Sequence, residues 1–228
     1  MVSPENLDQE FEDISPLLDK KEWLSVVDSE VAKAHDSGQN LAVLFLDLDF
    51  FKDVNDILGH QVGDDVLEQI KAIVARSLRS PESKGRDSVD SVSGPDTDSF
   101  EGQSGHIGGD EFALLAYTDE AGAQSIKTRL RERFFEFRDR EENEELRKTG
   151  VGIAIGFATL EPNMSSSELL RRADSAMYKD KLDQMPELTD HQMRAILDAK
   201  YVLKQAGVRV RLRDFPKYAR RYPELFED

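Results

Sequence analysis

The stretch Leu41–Asp49, which reads LAVLFLDLD, decides the fold. Its apolar part is short and contains β-branched and aromatic side chains, a pattern that predicts a buried β-strand. The strand runs directly into two acidic residues, and the two-residue period of a strand places Asp47 and Asp49 on one face. A carboxylate at the end of a buried strand needs a hydrogen-bond donor, a cation or a metal ion as partner.

A second acidic pair follows two glycines in Gly108-Gly-Asp-Glu-Phe112. The glycines predict a hairpin turn, and the apolar run after them predicts the next strand. If this strand pairs with Leu41–Asp49, Asp47, Asp110 and Glu111 converge, as carboxylates do around divalent metal in phosphoryl-transfer sites. Either pair alone is better explained as a polar turn or a helix cap. The occurrence of the same chemistry twice favours the metal site.

Between the two acidic points lie Asn55, His60 and Asp64. An amide offers a donor and an acceptor, and a carboxylate accepts two N–H groups, so Asn55 and Asp64 suit the edge of guanine. Spacing alone favours a structural interpretation. In that interpretation Asn55 ends one helix, Asp64 lies in the first turn of the next, and His60 is an ordinary surface histidine.

The remaining periodicity predicts an α+β or α/β sandwich with a sheet in the middle. Asp19 and Glu22 form a capping box that starts the first helix, and Gly38 ends it. Ser166 is expected to cap a later helix. The predicted helices cover 19–38, 50–57, 66–78, 123–134, 166–177 and 189–207, and the predicted strands cover 41–46, 112–117, 151–158 and 208–213.

The expected organisation is an acidic arm at 1–18, a domain at 19–184 and a C-terminal extension at 185–228 made of a helix and a basic strand. Residues 81–104, rich in Ser, Asp, Gly and Pro, are expected to form a flexible insertion. The charged run 138–148 is interpreted as the solvated end of a helix. The residues before 19 are too few to fold alone, so regulation is expected from a partner protein, the C-terminal tail or concentration.

Charge and composition exclude several classes of function. The 228 residues hold 30 Lys and Arg against 46 Asp and Glu, a net charge of −16, which disfavours a general nucleic-acid binder. A polyanionic substrate would need metal ions or local cations. The absence of cysteine excludes disulfides and thiol catalysis. No secretory signal or apolar run of membrane-spanning length is visible, which predicts a soluble, cytoplasmic protein without membrane contact.

Taken together, these segments resemble the GGDEF domain of diguanylate cyclases. The resemblance runs from about residue 13 to about residue 184 in the family's order. It rests on four segments: Phe45–Asn55, Gly59-His60 with Gly63-Asp64, Gly108–Phe112, and Ala173–Tyr178 with Lys181. It implies a palm-like fold related to nucleotide cyclases and polymerases, with a mostly antiparallel sheet flanked by helices.

The resemblance also implies a role for each matching residue. Asp47, the Leu48 carbonyl and Asp110 would hold Mg²⁺ or Mn²⁺, and Glu111 would be a further ligand or the general base for the ribose 3′-hydroxyl. Asn55 and Asp64 would bind guanine, with His60 close by. The triphosphate would be contacted by Lys52, Lys181 and the Phe50 and Phe51 amides, with Gly108 and Gly109 leaving room for it.

The implied reaction condenses two GTP into cyclic di-GMP and two pyrophosphates within a homodimer, since each protomer carries one GTP. This chain departs from the family at His106, where Arg is usual, and at Met185, where a phosphate-contacting Arg is expected. The usual Arg-x-x-Asp inhibitory site would fall at Ser99 and Gly102 and is absent. The family's Thr-Gly-Leu-x-Asn-Arg opening is also lost. The alternatives are a GTP-binding regulatory module without turnover and a palm-domain cyclase with another product.

Overall fold

The computed structural model describes residues 17–79 and 100–184. Contact density divides the chain into a unit Met1–Tyr178 and a unit Lys179–Asp228. The helices are α1 (Lys20–Ser37), α2 (Phe51–Leu58), α3 (His60–Ala75), α4 (Glu120–Arg138), α5 (Glu144–Lys148) and α6 (Ser166–Gln184). The strands are β1 (Ala42–Asp49), β2 (Leu78–Arg79), β3 (Phe100–Gly108), β4 (Glu111–Ala116) and β5 (Gly152–Thr159).

Five strands form one sheet in the order β2-β3-β4-β1-β5. Strand β1 pairs antiparallel with both β4 and β5, and β3 pairs antiparallel with β4, whereas β2 and β3 run parallel. This confirms the predicted mostly antiparallel sheet flanked by helices. Strand β1 is covered by a core on each face of the sheet, and this explains its unbroken apolar run, since such a strand cannot alternate apolar with polar residues.

Apolar cores lie on both faces of the sheet. On one face Leu44, Leu46 and Phe112 pack with the buried side chains of α2, α3 and α4. On the other face the odd-numbered residues of β1 and β4 pack with α1 and α6, where Trp23 is only 1% exposed and meets Phe45 at a ring-centroid distance of 5.6 Å. The sheet therefore separates the α2–α3–α4 layer from the α1–α6 layer.

The predicted start and end of α1 are confirmed. The Glu22 amide donates to the Asp19 carboxylate at 2.8 Å, the Asp19 amide donates to the Glu22 carboxylate at 3.0 Å, and Gly38 closes the helix in the left-handed conformation. The prediction for α6 was wrong by one residue. The Glu168 amide donates to Ser165 Oγ at 3.2 Å, so Ser165 caps the helix, while the Ser166 hydroxyl donates to Asp28.

Several predicted boundaries shift because pairing across the sheet overrides local composition. Leu18 pairs with β3 through its amide and carbonyl, so the predicted loose arm ends before it. Strand β3 begins at Phe100, so residues 100–104 of the predicted insertion belong to the sheet. Leu78, expected at the end of α3, lies in β2.

The charged run 138–148 is more than the end of α4. It continues through a short 3₁₀ turn into α5, whose Leu146 is buried in the core. The predicted helix 189–207 and strand 208–213 lie outside the described residues. In the parts of the chain that the structure describes, no helix combines the length and the apolar character needed to cross a bilayer.

Helix α6 packs directly onto the backbone of β5 at Gly156. A Cβ atom added at Gly156 would lie 1.8 Å from the Met177 amide nitrogen, and backbone atoms cannot move aside as a side chain can. We expect Gly156→Ala to lower the free energy of unfolding by about 1–3 kcal/mol through overpacking, measured by urea denaturation. Gly152→Ala in the same strand is the control, because its Cβ would meet Asp49 only at 3.4 Å. Equal stability of the two variants would contradict this packing.

Candidate active site

The register of β1 against β4 places Asp47 directly opposite Glu111. Both side chains project toward the α1–α6 layer, because they alternate with residues that face the other core. The Leu48 amide donates to the Asp110 carbonyl at 3.3 Å, which ties the hairpin turn to the end of β1. The pairing of the strand Leu41–Asp49 with the strand after Gly108 and Gly109, on which the predicted metal site depends, is confirmed.

The crowding of carboxylates changes the protonation of Glu111. Partial desolvation raises the pKa of Glu111 above its usual range, although the residue stays exposed at the start of β4, and the charges of Asp47 and Asp110 raise the pKa further. Asp174 of α6 adds a smaller effect in the same direction, whereas Lys20 of α1 opposes it. Several negative charges therefore repel one another at this end of the sheet, and a bound cation would reduce this repulsion.

The set of donors suits a hard divalent cation, since Asp and Glu carboxylates supply oxygen ligands. Within the described ranges, no three acidic or histidine side chains already surround one point at metal-binding distances. The carboxylates at Asp47, Asp110 and Glu111 are brought to one end of the sheet by backbone pairing.

The turn between β3 and β4 depends on its two glycines. Gly108 has φ 149° and Gly109 has φ 55°, values that strain other residues. A Cβ at either position would meet no atom within 4 Å, so the surface above the turn is open. Nε2 of His106 lies 2.8 Å from the Gly109 carbonyl oxygen, and its ring stacks on Phe112 at 4.7 Å. His106 therefore supports the turn that carries the acidic pair.

The junction of β1 and α2 carries backbone strain. Phe50 adopts a left-handed conformation (φ 58°, ψ 22°) that is uncommon for a residue with a large side chain, and 38% of it is exposed. Phe51 instead packs in the core. Lys52 forms an ion pair with Asp56 one turn further along α2. The junction thus turns sharply just after Asp47 and Leu48.

At the contact between α2 and α3, Asn55 lies against Gly63, the residue before Asp64. A Cβ added at Gly63 would lie 2.0 Å from Asn55 Oδ1, so the amide of Asn55 rests against the first turn of α3. His60 and Asp64 are both exposed and lie four residues apart on that helix, which places them on one face. This neighbourhood depends on Gly63 having no side chain.

Lys181, the remaining predicted site residue, lies near the end of α6 and belongs to the unit Lys179–Asp228. Two residues near Glu111 were not predicted as site residues. Asp174 belongs to the quoted segment Ala173–Tyr178 but had no role, and Lys20 is the first residue of α1 after its cap. Their proximity to Glu111 follows from the packing of α1 and α6 on one face, which no local pattern encodes.

The chain matches the family described as diguanylate cyclase, GGDEF domain, over residues 13–91 and 101–186. The matched ranges include the β1–α2 junction, the α2–α3 contact and the acidic hairpin described above. The chain belongs to the GGDEF domain family.

Named relatives include diguanylate cyclases from several bacteria. Diguanylate cyclase A of Treponema denticola is 28% identical over 145 residues, covering 63% of this chain and 33% of that protein. Diguanylate cyclase DgcP of Pseudomonas aeruginosa is 31% identical over 157 residues, covering 68% of this chain and 20% of that protein. The chain thus spans a third or less of the length of these two relatives.

Solved structures show the same fold. The GGDEF domain of DgcB from Caulobacter crescentus, in complex with c-di-GMP, superposes with a TM-score of 0.58 at 25% identity, covering 76% of this chain and 90% of that chain. Diguanylate cyclase SiaD of Pseudomonas aeruginosa, in complex with its activator SiaC, has a TM-score of 0.56 at 26% identity, covering 79% of this chain and 62% of that chain. The palm-like cyclase fold is therefore confirmed.

The raised pKa of Glu111 predicts how this group affects stability. The folded protein holds the proton of Glu111 more tightly than the unfolded protein does. The ionised carboxylate therefore destabilises the fold, an effect that is absent below the unfolded pKa and grows as the pH rises through the folded pKa. We expect Glu111→Gln to raise the melting temperature of the metal-free protein at pH 7 by about 1–2 °C, since an exposed charge contributes little. The gain should disappear near pH 4.

Glu132→Gln on α4 is the control, because it removes the same charge from an exposed helical site. Thermal unfolding followed by circular dichroism at both pH values measures the effect. An equal or larger gain in the Glu132 variant would show that net charge, rather than crowding around Glu111, sets the stability.

Proposed function

We propose that this chain is the catalytic domain of a diguanylate cyclase, which condenses two GTP into cyclic di-GMP and two pyrophosphates. The observation that carries the proposal is the pairing of β1 with β4, which sets Asp47 opposite Glu111 beside Asp110. Membership of the family and the diguanylate cyclases among its relatives support it. The cytoplasmic location expected from the sequence stays a prediction.

In the proposed reaction, the 3′-oxygen of one GTP attacks the α-phosphorus of the other. The 3′-hydroxyl loses its proton, an oxygen–phosphorus bond forms, and the bond to pyrophosphate breaks. Glu111 is proposed as the base or as a metal ligand, and its raised pKa makes its carboxylate a stronger proton acceptor. The same step with the two roles exchanged closes the ring.

Asp47, Asp110, Glu111 and the Leu48 carbonyl would hold the Mg²⁺ or Mn²⁺ ions. When bound, such ions neutralise charge at the transferring phosphate. The chain's own residues orient the substrate around this centre. The strained turn at Phe50 and Phe51 would present backbone amides to the triphosphate, with Lys52 and Lys181 as cations, and the open turn at Gly108 and Gly109 leaves space above it.

Guanine is proposed to bind where α2 meets α3. Asn55 would exchange hydrogen bonds with the base edge, and Asp64 would accept from its N–H groups, with His60 on the same face of α3. Adenine presents the opposite pattern of donors and acceptors, so the pair favours GTP. The exact product depends on how two such sites face each other in a homodimer.

The alternative function is a GTP-binding regulatory module with weak or no turnover. The observation that favours it is His106, which occupies the place of the usual Arg and contacts the Gly109 carbonyl and Phe112. A histidine lacks the fixed charge and the forked donors that arginine would offer beside the acidic turn. A regulatory protein partner fits either function, and the activator-bound SiaD supports this proposal.

We expect Asp110→Ala and Asp47→Ala each to reduce formation of cyclic di-GMP from GTP by at least about 10²-fold, since each removes a carboxylate proposed to bind metal. Chromatographic detection of product with Mg²⁺ or Mn²⁺ measures the loss. Asp36→Ala, which removes an exposed carboxylate near the end of α1, should keep wild-type turnover. Full activity in either site variant would disprove the assignment, and a wild-type protein that binds GTP without product would establish the alternative.

We expect Gly63→Ala to reproduce the effect of Asn55→Ala on nucleotide binding. The new methyl group would displace the Asn55 amide, which lies 2.0 Å from the Cβ position, while the flexible side chain moves aside at little cost in stability. Loss of one hydrogen bond should weaken GTP binding about threefold to tenfold. Calorimetric titration gives the affinity and thermal unfolding gives the stability. Unchanged GTP affinity in Gly63→Ala would show that Asn55 does not contact the base.

A further inference from the structure

A cleft of about 290 Å³ opens between α1 and α6 on the same face of the sheet as the acidic site. Phe45, Leu170 and Met177 contribute apolar walls, and Glu111 borders the cleft from β4. Trp23 also lines it, and its buried indole N–H has no acceptor among the described residues. The cleft therefore reaches the proposed catalytic residue Glu111.

Lys20 lies on this cleft one turn of α1 before Trp23, so the two side chains share one face of the helix. In the described parts of the chain, no acceptor lies within hydrogen-bond distance of the Lys20 ammonium group. Its charge acts on Glu111, the residue across the cleft. Lys20 is thus a cation beside the acidic centre, and its ammonium group makes no hydrogen bond to any described residue.

Two other described cations near the site, Arg171 and Lys52, are already paired. Arg171, which lines the same cleft, donates to Glu168 at 2.9 and 2.8 Å, and Lys52 pairs with Asp56. A protein with a net charge of −16 repels a triphosphate unless a local cation attracts it. Lys20 can supply that attraction without breaking an existing ion pair among the described residues.

We propose that Lys20 is a further substrate-binding residue, whose ammonium group binds the outer (β and γ) phosphates of the nucleotide beside Glu111. The inference rests on the proposed function for the identity of the nucleotide, and on the cleft, the uncommitted donors and the position of Lys20 for the contact. A lysine fits this task because its three donors rotate freely around a compact charge.

The test measures binding rather than turnover. The probes are the α,β-methylene analogue of GTP, which cannot release pyrophosphate, and GMP, which lacks the outer phosphates; both are titrated calorimetrically with Mg²⁺. Loss of a charge-assisted hydrogen bond in Lys20→Met should weaken the triphosphate analogue about tenfold or more. Affinity for GMP should stay unchanged. Lys20→Arg, which keeps the charge, should restore most of the affinity for the analogue.

Lys21→Met is the matched control, because Lys21 is the next residue on α1, is also exposed and does not line the cleft. Equal weakening in the Lys20 and Lys21 variants, or failure of Lys20→Arg to restore affinity, overturns the inference. So does a wild-type protein that binds no triphosphate. If the analogue binds through Lys20 and no cyclic di-GMP forms, the inference stands and the proposed function fails.

Discussion

The antiparallel pairing of β1 with β4 is the constraint on which the rest of the structure depends. Its register places Asp47 opposite Glu111, and a shift by one residue would turn each side chain to the other face of the sheet. The register is held because β1 is also paired with β5 and buries apolar residues on both faces. The same interactions that form the core therefore position the acidic site.

The acidic site opposes the stability that the core provides. Burial and neighbouring carboxylates raise the pKa of Glu111, so the ligand-free protein keeps repulsive charges at the end of its best-packed strands. Such an arrangement has a physical purpose when cations and a polyanionic substrate bind together, since each neutralises the other. The net charge of −16 disfavours the binding of an anion, and Lys20, across the cleft from Glu111, provides a local positive charge that counteracts it.

Glycine has three different roles in this domain. Gly109 supplies a positive φ in the open turn, Gly156 lets α6 touch the backbone of β5, and Gly63 leaves space for the Asn55 amide. Only the first role is visible in the sequence, because turn-forming glycines follow each other before an acidic pair. The other two depend on which atoms approach from elsewhere in the chain, and a single glycine within an element does not reveal that.

The sequence by itself determined the features that rest on local interactions: the capping box of α1, the buried strand β1, the hairpin before Glu111 and the family to which they belong. Tertiary structure decided the start of β3 at Phe100, because pairing with β4 makes a strand of residues with little apolar alternation. It also decided the placement of Lys20 and Asp174 around Glu111. Those two residues lie 154 positions apart in the chain, and only the packing of α1 and α6 on one face of the sheet brings their charges together.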